Sequence, residues 1–238
     1  MPGMAKPDTQ LRKFANTEAL NEALAAEIAA SLGHRLRAGR SASLTVAGGR
    51  SPVALFEQLS VMALDWSRVW VTLTDERWVR TSSSDSNEHL VREHLLRNAA
   101  AKANFVGLKT ESADPDSGAA ASWTAIEKLP RPFDQVLLGM GDDGHIASLF
   151  PNSPSLALGL DLQQPPGCVA AVAPAEPRAR VSLNLSALLD ARHIALLIIG
   201  SGKWVTYERA CADGPVEEMP VRALLRQQRV PVSVYWAP

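Results

Sequence analysis

Three short apolar runs in this chain each end in glycine: SLTVAGG over 43–49, FDQVLLGMG over 133–141, and IALLIIGSG within 191–212. Runs of this length, bounded by turn residues and rich in Val, Ile and Leu, read as strands buried on both faces. Helical patterns separate them. Residues 17–38 carry Leu20, Leu24, Ile28 and Leu32 at four-residue spacing, with Thr17 as the expected N-cap. A helix over 51–63 is expected to start with Ser51 as N-cap and Pro52 at the first helical position. A strand over 68–74 leads into a polar loop over 75–85 and a helix over 86–99 that starts near Ser86. A loop over 109–120, a helix over 119–129, a loop-rich stretch over 153–167 and strands over 168–173 and 180–185 follow. The last strand is RVPVSVYWAP. This alternation predicts an α/β fold: a mostly parallel, Rossmann-like sheet flanked by helices in a single domain over 1–238. Residues 1–14 are expected to be a flexible extension.

Composition narrows the functional classes. The 238 residues are 46% hydrophobic and 21% charged, which is ordinary globular usage. A formal net charge of -1 supplies no global field for nucleic acid or an anionic membrane, so any anion site must be local. The two cysteines, Cys168 and Cys211, are expected as buried thiols in a reducing compartment. The N-terminus lacks the apolar core of a secretory signal, and the longest strongly apolar run, Ile194–Ile199, is too short to span a bilayer. A soluble, cytoplasmic protein is expected, with no nucleic-acid or membrane partner.

In an open α/β sheet, ligands bind beyond the carboxyl ends of the strands. Four such ends carry polar signatures: Gly48-Gly49-Arg50-Ser51, Asp75-Glu76-Arg77, Gly141-Asp142-Asp143-Gly144-His145 and Gly200-Ser201-Gly202-Lys203. The first opens a helix, where bare backbone N–H groups attract phosphate. Arg77 supplies a fork donor and Lys203 a point charge, which together can neutralise a phosphate dianion. His145 beside Asp143 is suited to proton transfer, because imidazole titrates near neutrality and a carboxylate can orient it.

Several familiar motifs fail. Gly139–Gly144 matches GxGxxG formally, but two aspartates stand where a pyrophosphate must go, and Pro151 and Pro154 prevent the long helix that follows such a loop. The Lys203 turn has Leu197 where a P-loop needs its first glycine, and Trp204 where it needs Ser or Thr. No metal site is expected, since His89 and His94 are spaced five apart and no second histidine lies near the acidic loop. Ser148 follows His145 by three, but no GxSxG elbow marks it as a nucleophile.

Taken together, FDQVLLGMGDDGHIASLFP, AGGRSP, TDERWV, SDSNEHLVREHLL and RVSLNLSALLDARHIALLIIGSGK resemble the 6-phosphogluconolactonase family over roughly residues 15–235. The same superfamily holds glucosamine-6-phosphate deaminase/isomerase, in which a glutamate follows the loop histidine by five; here that residue is Phe150. Arg77 also stands where the deaminase usually has tyrosine. Arg50 departs from the lactonase pattern, where serine before Thr-Pro is more usual. The resemblance implies a NagB-like fold and cofactor-free hydrolysis of 6-phospho-D-glucono-1,5-lactone, in a monomer or weak homodimer. It implies His145 as general base and Asp143 as its holder. Gly141 and Gly144 are the candidate oxyanion donors. Gly48, Gly49, Arg50, Ser51, Arg77, Arg180 and Lys203 are the candidate phosphate contacts, and Asp75 and Asn87 would bind or brace sugar hydroxyls. The alternatives are a deaminase/isomerase-type enzyme and a non-catalytic sugar-phosphate sensor.

Overall fold

A computed structural model of the chain describes residues 9–238. Its first element is a strand, β1 (Gln10–Lys13), so the stretch read as a flexible extension contributes an edge strand; residues 1–8 lie outside the described region. Pairing with the far C-terminus supplies what the local pattern lacked, since Gln10–Lys13 align with Ser233–Trp236. Helix α1 (Thr17–Arg37) follows, capped by the Asn16 side chain, which accepts from the Ala19 N–H. Asn16 thus takes the role expected of Thr17. Leu20, Leu24, Ile28 and Leu32 form its buried stripe as the spacing predicts.

The next unit is β2 (Ala42–Val46) and α2 (Val53–Ser60). Pro52 holds the cap position of α2 without a side-chain hydrogen bond, so Ser51 does not cap it. Strand β3 (Val69–Leu73) runs into a second strand, β4 (Asp75–Arg77), inside the segment expected to be loop. Helix α3 (Asn87–His94) is shorter than expected and is followed by a 3₁₀ turn and by β5 (Asn104–Val106). Helix α4 (Pro115–Ile126) begins earlier than its pattern suggests, because Asp114 caps it and Pro115 sits in its first turn. Then come β6 (Gln135–Gly139), the short α5 (Leu156–Leu160), β7 (Cys168–Val172), β8 (Ala179–Leu183), α6 (Leu185–Leu188), β9 (Ile194–Ile199), α7 (Ser201–Cys211), α8 (Val221–Arg226) and β10 (Val232–Ala237).

Seven strands form one sheet in the order β1-β10-β9-β6-β2-β3-β5, and every neighbouring pair is parallel. Helices flank this sheet, so its central strands are buried on both faces: β2 has no exposed residue, and Ile194–Ile198 are all buried. The other three strands form a small antiparallel sheet, β4-β8-β7. The chain therefore turns out of the main sheet at Thr74 and pairs with a segment a hundred residues further on, an arrangement no local pattern encodes.

The two ends of the main sheet differ in character. Strands β9, β6, β2 and β3 are adjacent and parallel, so their carboxyl ends open on the same edge. At the other end of β6, buried Asp134 accepts from the Ser43 N–H and pairs with Arg35 and Arg192, tying α1, β2 and β6 together away from that edge. Both cysteines are free, but Cys211 is exposed and Cys168 only partly buried, which corrects the expectation of two buried thiols.

Candidate active site

The four polar strand ends meet in one cleft of about 490 Å³. Its walls include Gly48, Gly49, Arg50, Ser51, Asp75, Arg77, Asn87, Gly141, Asp143, His145, Arg180 and Lys203, so of the expected site residues only Gly144 stands off it.

The loop after β6 carries the central pair. His145 Nδ1 lies 2.6 Å from Asp143 Oδ1, and the same oxygen accepts from the His145 backbone N–H at 3.0 Å. A carboxylate only accepts, so Nδ1 carries the proton and Nε2 is left with a lone pair in the neutral ring. Burial opposes ionisation of Asp143, but the hydrogen bonds and charge of His145 outweigh it and hold the carboxyl below the ordinary aspartate value. The imidazole packs at 4.4 Å between centroids against Phe150. The ring also lies over Gly141, where an added Cβ would overlap Nδ1; only glycine lets the ring approach the backbone so closely. No helix follows this loop until Leu156, in keeping with the rejection of a dinucleotide fingerprint.

The expected oxyanion donors are corrected. The Gly141 N–H donates to the His145 carbonyl at 2.9 Å, and the Gly144 N–H donates to the Gly141 carbonyl at 3.0 Å. Both are spent on folding the loop, and Gly144 packs on Met219 instead of facing the cleft.

Four cations line the cleft: Arg50, Arg77, Arg180 and Lys203. Among the described residues none of them makes an ion pair with a carboxylate within 4.0 Å. Arg77 and Arg180 stand directly opposite each other on β4 and β8. Like charges in that register repel. Arg180 is only 8% exposed and its Nε has no partner. Burial, then Arg77, lower its pKa, while Asp75, Glu76 and Asp85 counter them. Burial likewise lowers that of Lys203, in the first turn of α7; Asp142 opposes this and Arg50 reinforces it. A cleft that gathers four cations without carboxylate partners, two of them, Arg180 and Lys203, partly desolvated, suits an anion.

The opposite character belongs to Asp75 and Asn87. Asp75 Oδ1 accepts from the Thr74 hydroxyl at 2.9 Å and Oδ2 from the Ser148 hydroxyl at 2.6 Å. Asn87 Nδ2 donates to the Asp75 carbonyl at 2.8 Å. The Asn87 side chain lies so close over Gly48 that a Cβ there would meet its Oδ1 at 1.9 Å. Among the described residues no group of three or more His, Cys, Asp or Glu side chains is placed to hold a metal ion.

A family model described as glucosamine-6-phosphate isomerases/6-phosphogluconolactonase matches residues 15–236. The chain belongs to this family. A 6-phosphogluconolactonase of Pseudomonas putida is 43% identical over 229 residues, 96% of this chain and 93% of that protein. That of Pseudomonas aeruginosa is 47% identical over 215 residues, 90% of this chain and 89% of its own. The crystal structure of a 6-phosphogluconolactonase from Shewanella baltica superposes with a TM-score of 0.93 at 42% identity, covering 98% of this chain and all of that one. A monomeric glucosamine-6-phosphate deaminase shares the fold at a TM-score of 0.78 with 17% identity.

As a member of the glucosamine-6-phosphate isomerase/6-phosphogluconolactonase family, the chain also has residues around the cleft to which the sequence reading gave no role. Glu76 is fully buried and accepts from the N–H groups of Arg77, Asn87 and Glu88 and from the Ser86 hydroxyl, so it caps α3 and sets Asn87 in place. Burial pushes its carboxyl above the ordinary glutamate value against the pull of those donors. Ser148, unremarkable as a nucleophile, is bonded to Asp75. Ala173, Pro174 and Ala175, between β7 and β8, complete the wall. Their small apolar side chains carry no signal in the sequence.

Proposed function

We propose that the protein hydrolyses 6-phospho-D-glucono-1,5-lactone to 6-phospho-D-gluconate, the second step of the oxidative pentose phosphate pathway, with His145 as general base. The observation that carries this reading is the Asp143–His145 pair standing in a cleft with four cations that lack carboxylate partners. The relatives named as 6-phosphogluconolactonases support it over nearly the whole chain. Phe150, packed on the histidine where the deaminase pattern has a glutamate, supports a lactonase over a deaminase.

In the reaction, His145 Nε2 takes a proton from water as the water oxygen attacks the lactone carbonyl. The tetrahedral intermediate collapses with cleavage of the bond from C1 to the ring oxygen. The imidazolium returns its proton to that oxygen, and the new carboxyl group ionises. Asp143 keeps Nδ1 protonated and stabilises the imidazolium between the two transfers. The Gly141 and Gly144 N–H groups, already used within their own loop, do not serve as oxyanion donors. Arg77, Arg180, Lys203 and the Gly48–Ser51 turn hold the phosphate, with Arg50 contributing charge beside Lys203. Asp75 and Asn87 take sugar hydroxyls.

The test is a coupled assay with freshly made 6-phosphogluconolactone, with and without chelator, on the wild type and His145→Ala. Turnover by the wild type that is insensitive to chelator and falls about 10²–10⁴-fold in the variant is expected. Near wild-type turnover by a folded His145→Ala protein removes the base assignment, and ammonia release from glucosamine 6-phosphate in place of lactone hydrolysis removes the activity.

A further inference from the structure

Asp75 is an acceptor set among donors. It is 7% exposed, it lines the cleft, and among the described residues neither of its oxygens has a cation within 4.0 Å, although Arg77 and Arg180 lie nearby on the same small sheet. Its partners are instead two neutral hydroxyls, Thr74 and Ser148, both fully buried. Each carboxylate oxygen has room for about two donors. With one hydroxyl on each, Asp75 keeps an open acceptor position on both oxygens. Beside it Asn87, 2% exposed, donates one N–H to the Asp75 carbonyl, and among the described residues its own Oδ1 has no partner. A phosphate has no use for such acceptors, whereas a ring carrying several hydroxyls supplies the matching donors.

Ser148 controls where this carboxylate points. Its hydroxyl grips Oδ2 at 2.6 Å, and its own backbone N–H is anchored 3.1 Å from Ser182 Oγ. Ser182 is the register partner of Asp75 across β4 and β8. Ser148 also lies on the loop of His145. One buried hydroxyl therefore joins the loop of the base to the wall that faces the sugar ring. Without it, Asp75 would keep a single fixed oxygen and could turn toward Arg180.

The geometry points to Ser148 as the positioning residue that aims Asp75 to read the ring hydroxyls of the substrate, an inference that rests on the lactone-hydrolase reading. The experiment compares kcat and KM for 6-phosphogluconolactone and its 2-deoxy, 3-deoxy and 4-deoxy forms in the wild type, Ser148→Ala and Ser148→Cys. A hydrogen bond to a charged group is worth about 10- to 100-fold in binding. The wild type should disfavour at least one deoxy lactone by about that factor. Ser148→Ala should lose about the same factor on the full lactone, chiefly through KM, while its rate on the disfavoured deoxy lactone stays within about threefold of wild type. Ser148→Cys, close in size but a weaker donor, should fall between the two and serves as the reference should the alanine variant fold poorly. Equal losses on full and deoxy lactones, or a cysteine variant that discriminates as well as wild type, would overturn the role of Ser148. Wild-type turnover without any discrimination would overturn the subsite and leave the lactonase reading standing. No turnover of any lactone would overturn both.

Discussion

At the scale of single residues, the site depends on approaches that tolerate no extra atom. Gly141 lies beneath the His145 ring, and a Cβ would overlap Nδ1. Gly141→Ala should displace the imidazole and lower kcat by at least about tenfold, while the unfolding midpoint in denaturant stays near wild type, because the ring can swing into the cleft. The Asp143–His145 contact makes a second prediction, about pH. The carboxyl of Asp143 is held below its ordinary value in the folded state by His145, despite burial. A depressed acid stabilises the fold above its unfolded pKa and loses that contribution as pH falls through the folded one. Acid titration of stability should therefore be shallower in Asp143→Asn than in wild type below about pH 4. The same variant should lose activity at neutral pH, since an amide can present a donor to Nδ1 and select the wrong tautomer.

At the scale of elements, β4 is three residues that reorganise the site. It pairs with β8 and not with the main sheet, which sets Arg77 opposite Arg180 and hands Glu76 to the N-terminus of α3. Carboxylates are favoured there because the first N–H groups of a helix lack partners. Glu76→Ala should cost about 2 kcal/mol of stability in chemical denaturation, given the donors it would strand. It should also raise KM, because Asn87 begins that helix. The repulsion across β4 and β8 has the opposite sign. Arg180→Met should leave stability unchanged or raised, yet weaken binding of the phosphorylated lactone by about tenfold or more. An equal loss with an unphosphorylated lactone would argue against an anion role.

At the scale of the whole molecule, charge is distributed unevenly over a nearly neutral chain. The net charge is -1, yet four cations without carboxylate partners, Arg50, Arg77, Arg180 and Lys203, line one cleft at a sheet edge. Attraction of a phosphorylated substrate should then be local and screened by salt. KM should rise several-fold between about 0.02 and 0.5 M ionic strength with kcat little changed, as measured by initial rates. No helix among the described residues is long and apolar enough to cross a membrane.

Much of this architecture was legible in order. The apolar runs ending in glycine set out β2, β6 and β9, the four-residue spacing of Leu20 to Leu32 set out α1, and the rule that ligands lie beyond strand ends located the cleft. These are local consequences of burial and periodicity, and neighbouring residues suffice to specify them. What the sequence could not decide depends on partners distant in the chain. β1 is a strand because β10 lies beside it, and β4 leaves the sheet because β8 is there to receive it. The N–H groups of Gly141 and Gly144 were open donors on paper and are consumed within their own loop. Ser148 had no meaning until Asp75, far upstream, came within 2.6 Å. Residue types and strand ends thus determined which chemistry this chain carries. Only tertiary packing decided which polar groups are spent on the fold and which remain for a substrate, because a hydrogen bond is assigned by distance in space and not by distance along the chain.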